Sequence, residues 1–335
     1  MSVSIEDVAR HAQVSISTVS RVINRRELVN ADTRRRVEHA IRELDYRPNM
    51  FARGLMLQKS DMLGLVLPDI HGEFYSEIIR GANAKAREAG YHLVVSSTDG
   101  PGDTQHLLAD LTRRAIIDGL AVFLTEHTPT LREALRQSRM PCVILDACLT
   151  DQPNDAVTID HRGGALAILR HLVHDCHARH IVFIGGPPEN ADTLARREAF
   201  EDVVRTELGC DSAEVHHLDY QYESAYALAL ERAGEWAGPG HAVFAANDEM
   251  ASGVVDAAAA LGFSVPRDLA VVGFDDTRTA RMTRPPLTTV RVPMFQMGAT
   301  AIELLCQRLA DRDRAPVRVM LTPELVVRRS SGSYA

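Results

Sequence analysis

Ile16, Ser17 and Arg21 are side chains whose types and spacing suit one job, the reading of base edges in duplex DNA. An apolar group, a hydroxyl and a guanidinium reach bases when they lie on the N-terminal turns of a helix seated in the major groove. The surrounding charge agrees with that chemistry. Residues 1–60 hold 11 Lys and Arg against 7 Asp and Glu, a net of +4, so the other 275 residues carry −12 of the chain's −8. A small basic module on an acidic body is an electrostatic footprint for a polyanion. The run Arg34, Arg35, Arg36 alone would be no more than a solvated helix face; the elements around it give it a partner.

Those elements are short helices. Ile5, Val8 and Ala9 take the i, i+3, i+4 positions of one buried face. Residues 11–15 are too few for a long connection, and Ser15 is a good N-cap for a second helix whose apolar face is Val19, Val22 and Ile23. A third helix over 31–44 closes a helix-turn-helix. Pro48 then suits the first turn of a fourth, with Ala52, Leu55 and Met56 as its apolar stripe. Barely two turns long, that fourth helix is marginal alone in water, so it folds only when something holds it.

From residue 62 the pattern changes to alternating strands and helices. Strands are expected at 63–67, 91–96, 119–124 and 142–145, with helices at 74–89, 103–114 and 130–137 between them. A second run gives strands at 181–184, 214–218, 242–245 and 270–274, with helices at 161–174, 191–207, 223–236 and 248–261. The βα rhythm implies parallel sheets covered on both faces. The fold class is therefore an all-α headpiece followed by two doubly wound α/β lobes, with one more helix (294–309) and strands at 317–321 and 325–328. The 335 residues, 45% of them hydrophobic, suffice for such cores. No apolar run approaches a membrane span, and the polar start lacks the features of a secretory signal. Five cysteines without a C-x-x-C spacing fit free thiols in a reducing cytoplasm.

Ligands of open α/β sheets bind beyond the carboxyl ends of the strands. The loops to inspect are thus 69–75, 145–146, 185–197, 219–220, 247–248 and 274–276. They offer carboxylates, amides, a guanidinium and aromatic rings, the groups that hold hydroxyl-rich sugars.

The run Ile5, Asp7-Val8-Ala9, Val14-Ser15, Ser17-Thr18-Val19-Ser20-Arg21-Val22, Asn24, Tyr46-Arg47-Pro48-Asn49, Ala52-Arg53 and Leu55 resembles the headpiece of the LacI/GalR family of transcriptional repressors. Two positions depart from the family's pattern: Gln13, where a small residue is usual, and Arg25, where Gly commonly follows Asn24. The resemblance implies a homodimer on a pseudo-palindromic operator. It implies a DNA-facing set of Ser15, Ile16, Ser17, Thr18, Arg21, Asn24 and Arg25, joined by Asn49, Ala52, Arg53 and a Leu55 that wedges a base step from the minor groove. Arg10, Arg25, Arg34 and Arg53 are the expected phosphate contacts.

The resemblance also implies boundaries: a headpiece over 1–46, a hinge over 47–60, a first lobe of 61–160 with 293–321, and a second of 161–292 with 322–330. It places a small-molecule effector between the lobes, a sugar or sugar derivative with a purine as the alternative, acting as inducer or corepressor. Its contacts would be Phe74 and Tyr75, Asp146 as hydroxyl acceptor, Asp192 and Arg196 as a polar clamp, Tyr220 as aromatic floor, and Asn247 and Asp275. Tyr222 competes with Tyr220, while Asn247 and Asp275 could instead be a helix cap and a turn cap.

Other chemistries lack a foothold. His174, Cys176, His177 and His180 match no closed metal-ligand spacing. Gly185-Gly186-Pro187-Pro188 is neither a Walker loop nor a dinucleotide fingerprint, and no nucleophile motif appears, so neither a cofactor nor catalysis is expected. A secreted solute-binding protein on the same two lobes would need a signal peptide and no basic headpiece. A sugar-modifying enzyme using Asp146 and Asp275 as acid and base would need turnover.

Overall fold

Ser4 opens the first helix by accepting from the Asp7 amide while the Asp7 carboxylate accepts from the Ser4 amide, a reciprocal cap that satisfies two end groups. The structure is a computed structural model that describes residues 3–24, 29–46, 60–98, 104, 106–107, 110, 116–125, 128–138, 140–147, 154–210 and 212–332. Contacts divide the chain into Met1–Asp61 and Met62–Ala335.

In the first unit, α1 (Ile5–His11), α2 (Ile16–Asn24) and α3 (Ala31–Glu43) enclose Val8, Ala9, Ala12, Val19, Val22, Val37 and Ala40. Gln13 adopts φ +52°, the left-handed geometry that glycine would take without strain. Its carbonyl accepts from Arg36 at 3.3 Å, which braces the turn. The expected hinge helix, with Asn49, Ala52, Arg53 and Leu55, lies outside the described residues, as does Arg25.

The second unit begins with β1 (Met62–Leu67), α4 (Gly72–Glu88), β2 (His92–Ser97), β3 (Gly119–Phe123), α5 (Pro129–Gln137), β4 (Cys142–Leu145) and β5 (Asp155–Ile159). It continues with α6 (His161–Arg170), a π turn (His171–Asp175), β6 (His180–Gly185), α7 (Ala191–Thr206), β7 (Glu214–His217), α8 (Tyr222–Trp236), β8 (His241–Ala245) and α9 (Asp248–Ala260). The last elements are β9 (Ala270–Val272), α10 (Arg278–Met282), β10 (Thr289–Arg291), α11 (Met294–Ala310), β11 (Arg318–Leu321) and β12 (Glu324–Val326).

The described strands form a parallel sheet in the order β11-β5-β4-β3-β1-β2, a parallel sheet β7-β6-β8-β9, and an antiparallel pair β10-β12. Each parallel sheet with its helices makes one lobe. The chain thus returns to the first sheet through α11 and β11, with Leu321 opposite Ile159. Helices α4 and α11 approach closely because Gly81 and Gly298 lack side chains. A Cβ on Gly298 would lie 2.0 Å from the Ile78 carbonyl oxygen, and one on Gly81 1.9 Å from that of Phe295.

Several expected elements differ. The helix starting at 161 ends at Arg170 and passes into the π turn, and the strand starting at 270 stops at Val272, before the bend that carries Asp275. Strand β5, helix α10 and strand β10 had no counterpart in the sequence reading. The helix expected over 103–114 is described only at isolated positions.

Candidate functional site

Helix α2 presents Ser15, Ile16, Ser17 and Arg21 to solvent, with Thr18 half-buried. Ser15 caps the helix through the Thr18 amide at 3.2 Å, and its hydroxyl also meets those of Ser17 and Thr18 at 2.8 Å each. Ile16 is 46% exposed, an aliphatic group that the headpiece core does not use. Arg21 has no hydrogen-bond or ion-pair partner among the described residues, whereas Arg10 sits 3.4 Å from Asp7. The face is a polar and apolar mixture next to a free guanidinium, which suits base-edge contact.

Between the lobes, the carboxyl ends of the strands converge on a cavity of about 260 Å³. Its lining includes Phe74, Tyr75, Tyr220, Asn247 and Asp275. Phe74 and Tyr75, on the first turn of α4, pack edge-on against each other and against Phe123, with ring centroids 5.1–6.1 Å apart. Tyr220 stands over Gly186, where a Cβ would lie 2.2 Å from its ring. The Tyr220 hydroxyl meets Thr193 at 2.7 Å and donates to Asn190 at 3.3 Å, which fixes the ring as one wall.

Asn247 caps α9 by accepting from the Met250 amide, and its amide donates to the Tyr220 carbonyl. Its side chain therefore keeps one N–H and one lone pair for a ligand. Tyr222 is not part of the cavity; it donates to Asp256 at 2.9 Å and stacks on Tyr226.

Asp146, Asp192 and Arg196 form a buried network beside the cavity, joined by a residue that the sequence did not single out, His161. The Arg196 Nη2 lies 3.0 Å from His161 Nδ1, its Nη1 donates to the Ala246 carbonyl at 2.6 Å, and its guanidinium stacks 4.0 Å from the centre of the Phe274 ring. A guanidinium only donates, so Nδ1 must accept and the ring proton sits on Nε2. That proton faces Asp146 Oδ1 at 2.9 Å and Asp192 Oδ1 at 3.4 Å. Burial pulls His161 down to about 4, so the ring is neutral.

Burial pushes the Asp192 carboxyl up to about 7, helped by the neighbouring Asp146 charge, and raises Asp146 to about 6. Asp275 is held well above the usual carboxylate range by burial, and one of its oxygens has no partner. The same is true of Asp146 Oδ2.

One atom each from Asp146, His161 and Asp192 lie within 4.8 Å of one another, a spacing a metal could use. A cation on Nε2, however, would force the imidazole proton to Nδ1, against the Arg196 donor. The trio suits a shared proton better than an ion.

Asp146, Tyr220 and Asp275 all lie at positive φ, +61°, +67° and +109°. Left-handed backbone at these three residues, two lining the cavity and one beside it, stores strain of about 1–3 kcal/mol each. Asp248, another residue the sequence reading left without a role, is fully buried and accepts from Thr277 and Thr289, tying α9 to the segment that carries Asp275.

A small-ligand cleft between two doubly wound lobes, in a chain that begins with a helix-turn-helix unit, defines a ligand-responsive DNA-binding regulator. Residues 4–49 match the family described as bacterial regulatory proteins of the lacI family, and residues 169–331 match the periplasmic binding protein-like domain. The chain is 36% identical over 308 residues to catabolite control protein A of Priestia megaterium, covering 91% of this chain and 92% of that one. It is 31% identical over 331 residues to the ribose operon repressor of Escherichia coli (strain K12), covering 98% and 99%. Among solved structures, the lac repressor dimer bound to operator and the anti-inducer ONPF superposes with a TM-score of 0.88 at 26% identity, covering 99% of each chain. The complex of the transcriptional regulator CelR with cellobiose gives 0.73 at 30% identity, covering 98% and 99%. The chain belongs to the LacI family, and it is a transcriptional regulator and not an enzyme.

Proposed function

We propose that the chain is a cytoplasmic, homodimeric repressor whose grip on a pseudo-palindromic operator is set by a carbohydrate bound between its lobes. The observation that carries this reading is the convergence of Phe74, Tyr75, Tyr220, Asn247 and Asp275 on one cavity, in a chain whose α2 leaves Ile16, Ser17 and Arg21 exposed. Aromatic walls with a few convergent polar groups are what a sugar ring requires. The cavity is smaller than the roughly 300–1,000 Å³ of drug-sized sites, which suits a monosaccharide. Relatives named for ribose and a neighbour holding cellobiose support the class.

In this reading Ser15, Ile16, Ser17, Thr18, Arg21, Asn24 and Arg25 face the major groove, while Asn49, Ala52, Arg53 and Leu55 enter the minor groove at the dyad. The lobes exchange chain at 160/161, 292/293 and 321/322. A ligand that binds the closed and open lobes unequally then changes the spacing between the two hinges, and with it operator affinity. Among the described residues no helix is long and apolar enough to cross a membrane.

The test is fluorescence anisotropy on fragments upstream of the chain's own coding region, with and without a panel of sugars. Saturable, salt-dependent binding that one sugar shifts is expected; indifference of every fragment to protein at low salt would defeat the reading.

A further inference from the structure

We infer that the effector carries a protonated amine on its polyol frame, making it an amino sugar and not a neutral one; this rests on the carbohydrate-responsive reading above. The cavity is acidic beyond what its own structure consumes. Asp69, Glu73, Glu249 and Asp275 all line it, and among the described lining residues there is neither Lys nor Arg.

Two of these carboxylates are occupied. Asp69 accepts from the amides of Ile70 and His71 and from the His71 ring, and Glu73 accepts from the Arg278 amide. The other two are not. Asp275 is 8% exposed with a buried oxygen that meets no donor, and Glu249, half-buried at the mouth, makes no side-chain hydrogen bond among the described residues.

The nearest buried cation, Arg196, bonds the Ala246 carbonyl and His161 and stacks on the Phe274 face. Its charge partly offsets Asp275 and its Nε has no partner, yet it makes no hydrogen bond to Asp275 or Glu249 among the described residues. Behind it, Asp146 and Asp192 add two more carboxyls that burial drives toward the neutral form. A sugar hydroxyl would supply a donor and no charge; an ammonium supplies both. Charge-assisted hydrogen bonds are roughly twice as strong as neutral ones. Phe74 and Tyr75 offer π faces that accept an ammonium as readily as the apolar side of a sugar ring.

The test is titration calorimetry of the full chain at pH 7.5 with D-glucosamine, D-galactosamine and D-mannosamine. Each is compared with its neutral parent sugar and its N-acetyl derivative. One amine should bind at least about tenfold more tightly than both of its neutral counterparts, the factor that one charge-assisted contact supplies. Glu249→Gln, which loses no side-chain hydrogen bond to the described residues, should weaken that amine at least about threefold. A neutral parent or N-acetyl sugar binding as tightly as the amine overturns the inference and leaves the carbohydrate reading standing. Amine affinity indifferent to both Glu249→Gln and Asp275→Asn overturns it as well. A panel without a binder overturns the inference and the carbohydrate effector together, while the DNA-binding test above is decided separately.

Discussion

Asp192 shows how a buried carboxyl beside the cleft leaves its mark on the stability of the protein. Its folded-state pKa of about 7 lies above the carboxylate's ordinary 3.8, so the folded protein holds a proton that the unfolded chain has lost. Stability therefore falls as pH rises from about 4 to about 7 and is level above that. Asp192→Asn removes the titrating group. The variant should melt higher than the parent at pH 7.5 and alike near pH 4; each kcal/mol recovered corresponds to about 2–4 °C in a chain of this size class. His161 acts in the opposite sense. Its folded pKa of about 4 lies below 6.5, so the neutral ring favours folding above pH 6.5 and costs stability as pH falls toward 4. Equal melting shifts at both pH values would mean that Asp192 is ionised in the empty site.

Two arginines of the headpiece separate the two proposed kinds of DNA contact. Arg21→Ala should relax base preference at one operator position at a cost of about 1–3 kcal/mol. Arg34→Ala should weaken all sequences alike and reduce the salt slope by about one unit. Competition titrations with single-base operator variants at three salt concentrations distinguish the two outcomes.

Elements were legible in the sequence where one physical signal dominated. The headpiece helices carry clean i, i+3, i+4 stripes, and Leu63 to Leu67 is an unbroken apolar run, so both were readable. Strand β5 was not, because it opens on Asp155, a fully buried carboxylate made tolerable by Arg308, Arg314 and the Val317 amide from late in the chain, at 2.7–2.9 Å. Missing β5 hid His161 too, since nothing then marked it as a strand-end residue. Asp146, Asp275 and Tyr220 could be placed at strand ends, yet their left-handed backbone is imposed by tertiary packing and has no local sequence signal. For Asn247 the sequence allows a ligand amide or a helix cap, and the side chain caps α9 while also lining the cavity.

The same reasoning predicts element-scale costs. Gly298→Ala puts a methyl 2.0 Å from the Ile78 carbonyl and must push α4 from α11, a destabilisation of about 1–3 kcal/mol or more that denaturant titration would detect. Gln13→Gly relieves the left-handed turn after α1 and should stabilise the headpiece by up to about 1 kcal/mol, read from amide exchange in α1.

At the scale of the whole effector domain, the question is what holds the lobes together when the cleft is empty. Glu73, on the first-lobe helix α4, reaches across the mouth and accepts from the Arg278 amide at 2.5 Å, at the start of α10 in the second lobe. A carboxylate at a helix start is favoured by the exposed amides and their dipole, by about 0.3–1 kcal/mol at a solvated position. Other links between the lobes include the Ala191 amide, which donates to the Thr125 carbonyl at 3.4 Å, and an interior network from Asp146 to His161 and on to Asp192 and Arg196. Glu73 is therefore a surface latch on a buried hinge, and its loss should shift the lobes toward the open state without disturbing either core.

Apparent ligand affinity scales with the fraction of molecules in the binding-competent state. Glu73→Ala should accordingly weaken the effector about two- to fivefold, the factor that the dipole contribution corresponds to, chiefly by faster dissociation. Operator affinity of the ligand-free protein should move in the direction opposite to the effector's own action, since effector and mutation bias the same equilibrium in opposite senses. Stopped-flow release of the effector, with operator anisotropy on the same preparations, tests both halves. A slower release, or an operator shift in the effector's direction, would show that the Glu73 contact stabilises the open form instead.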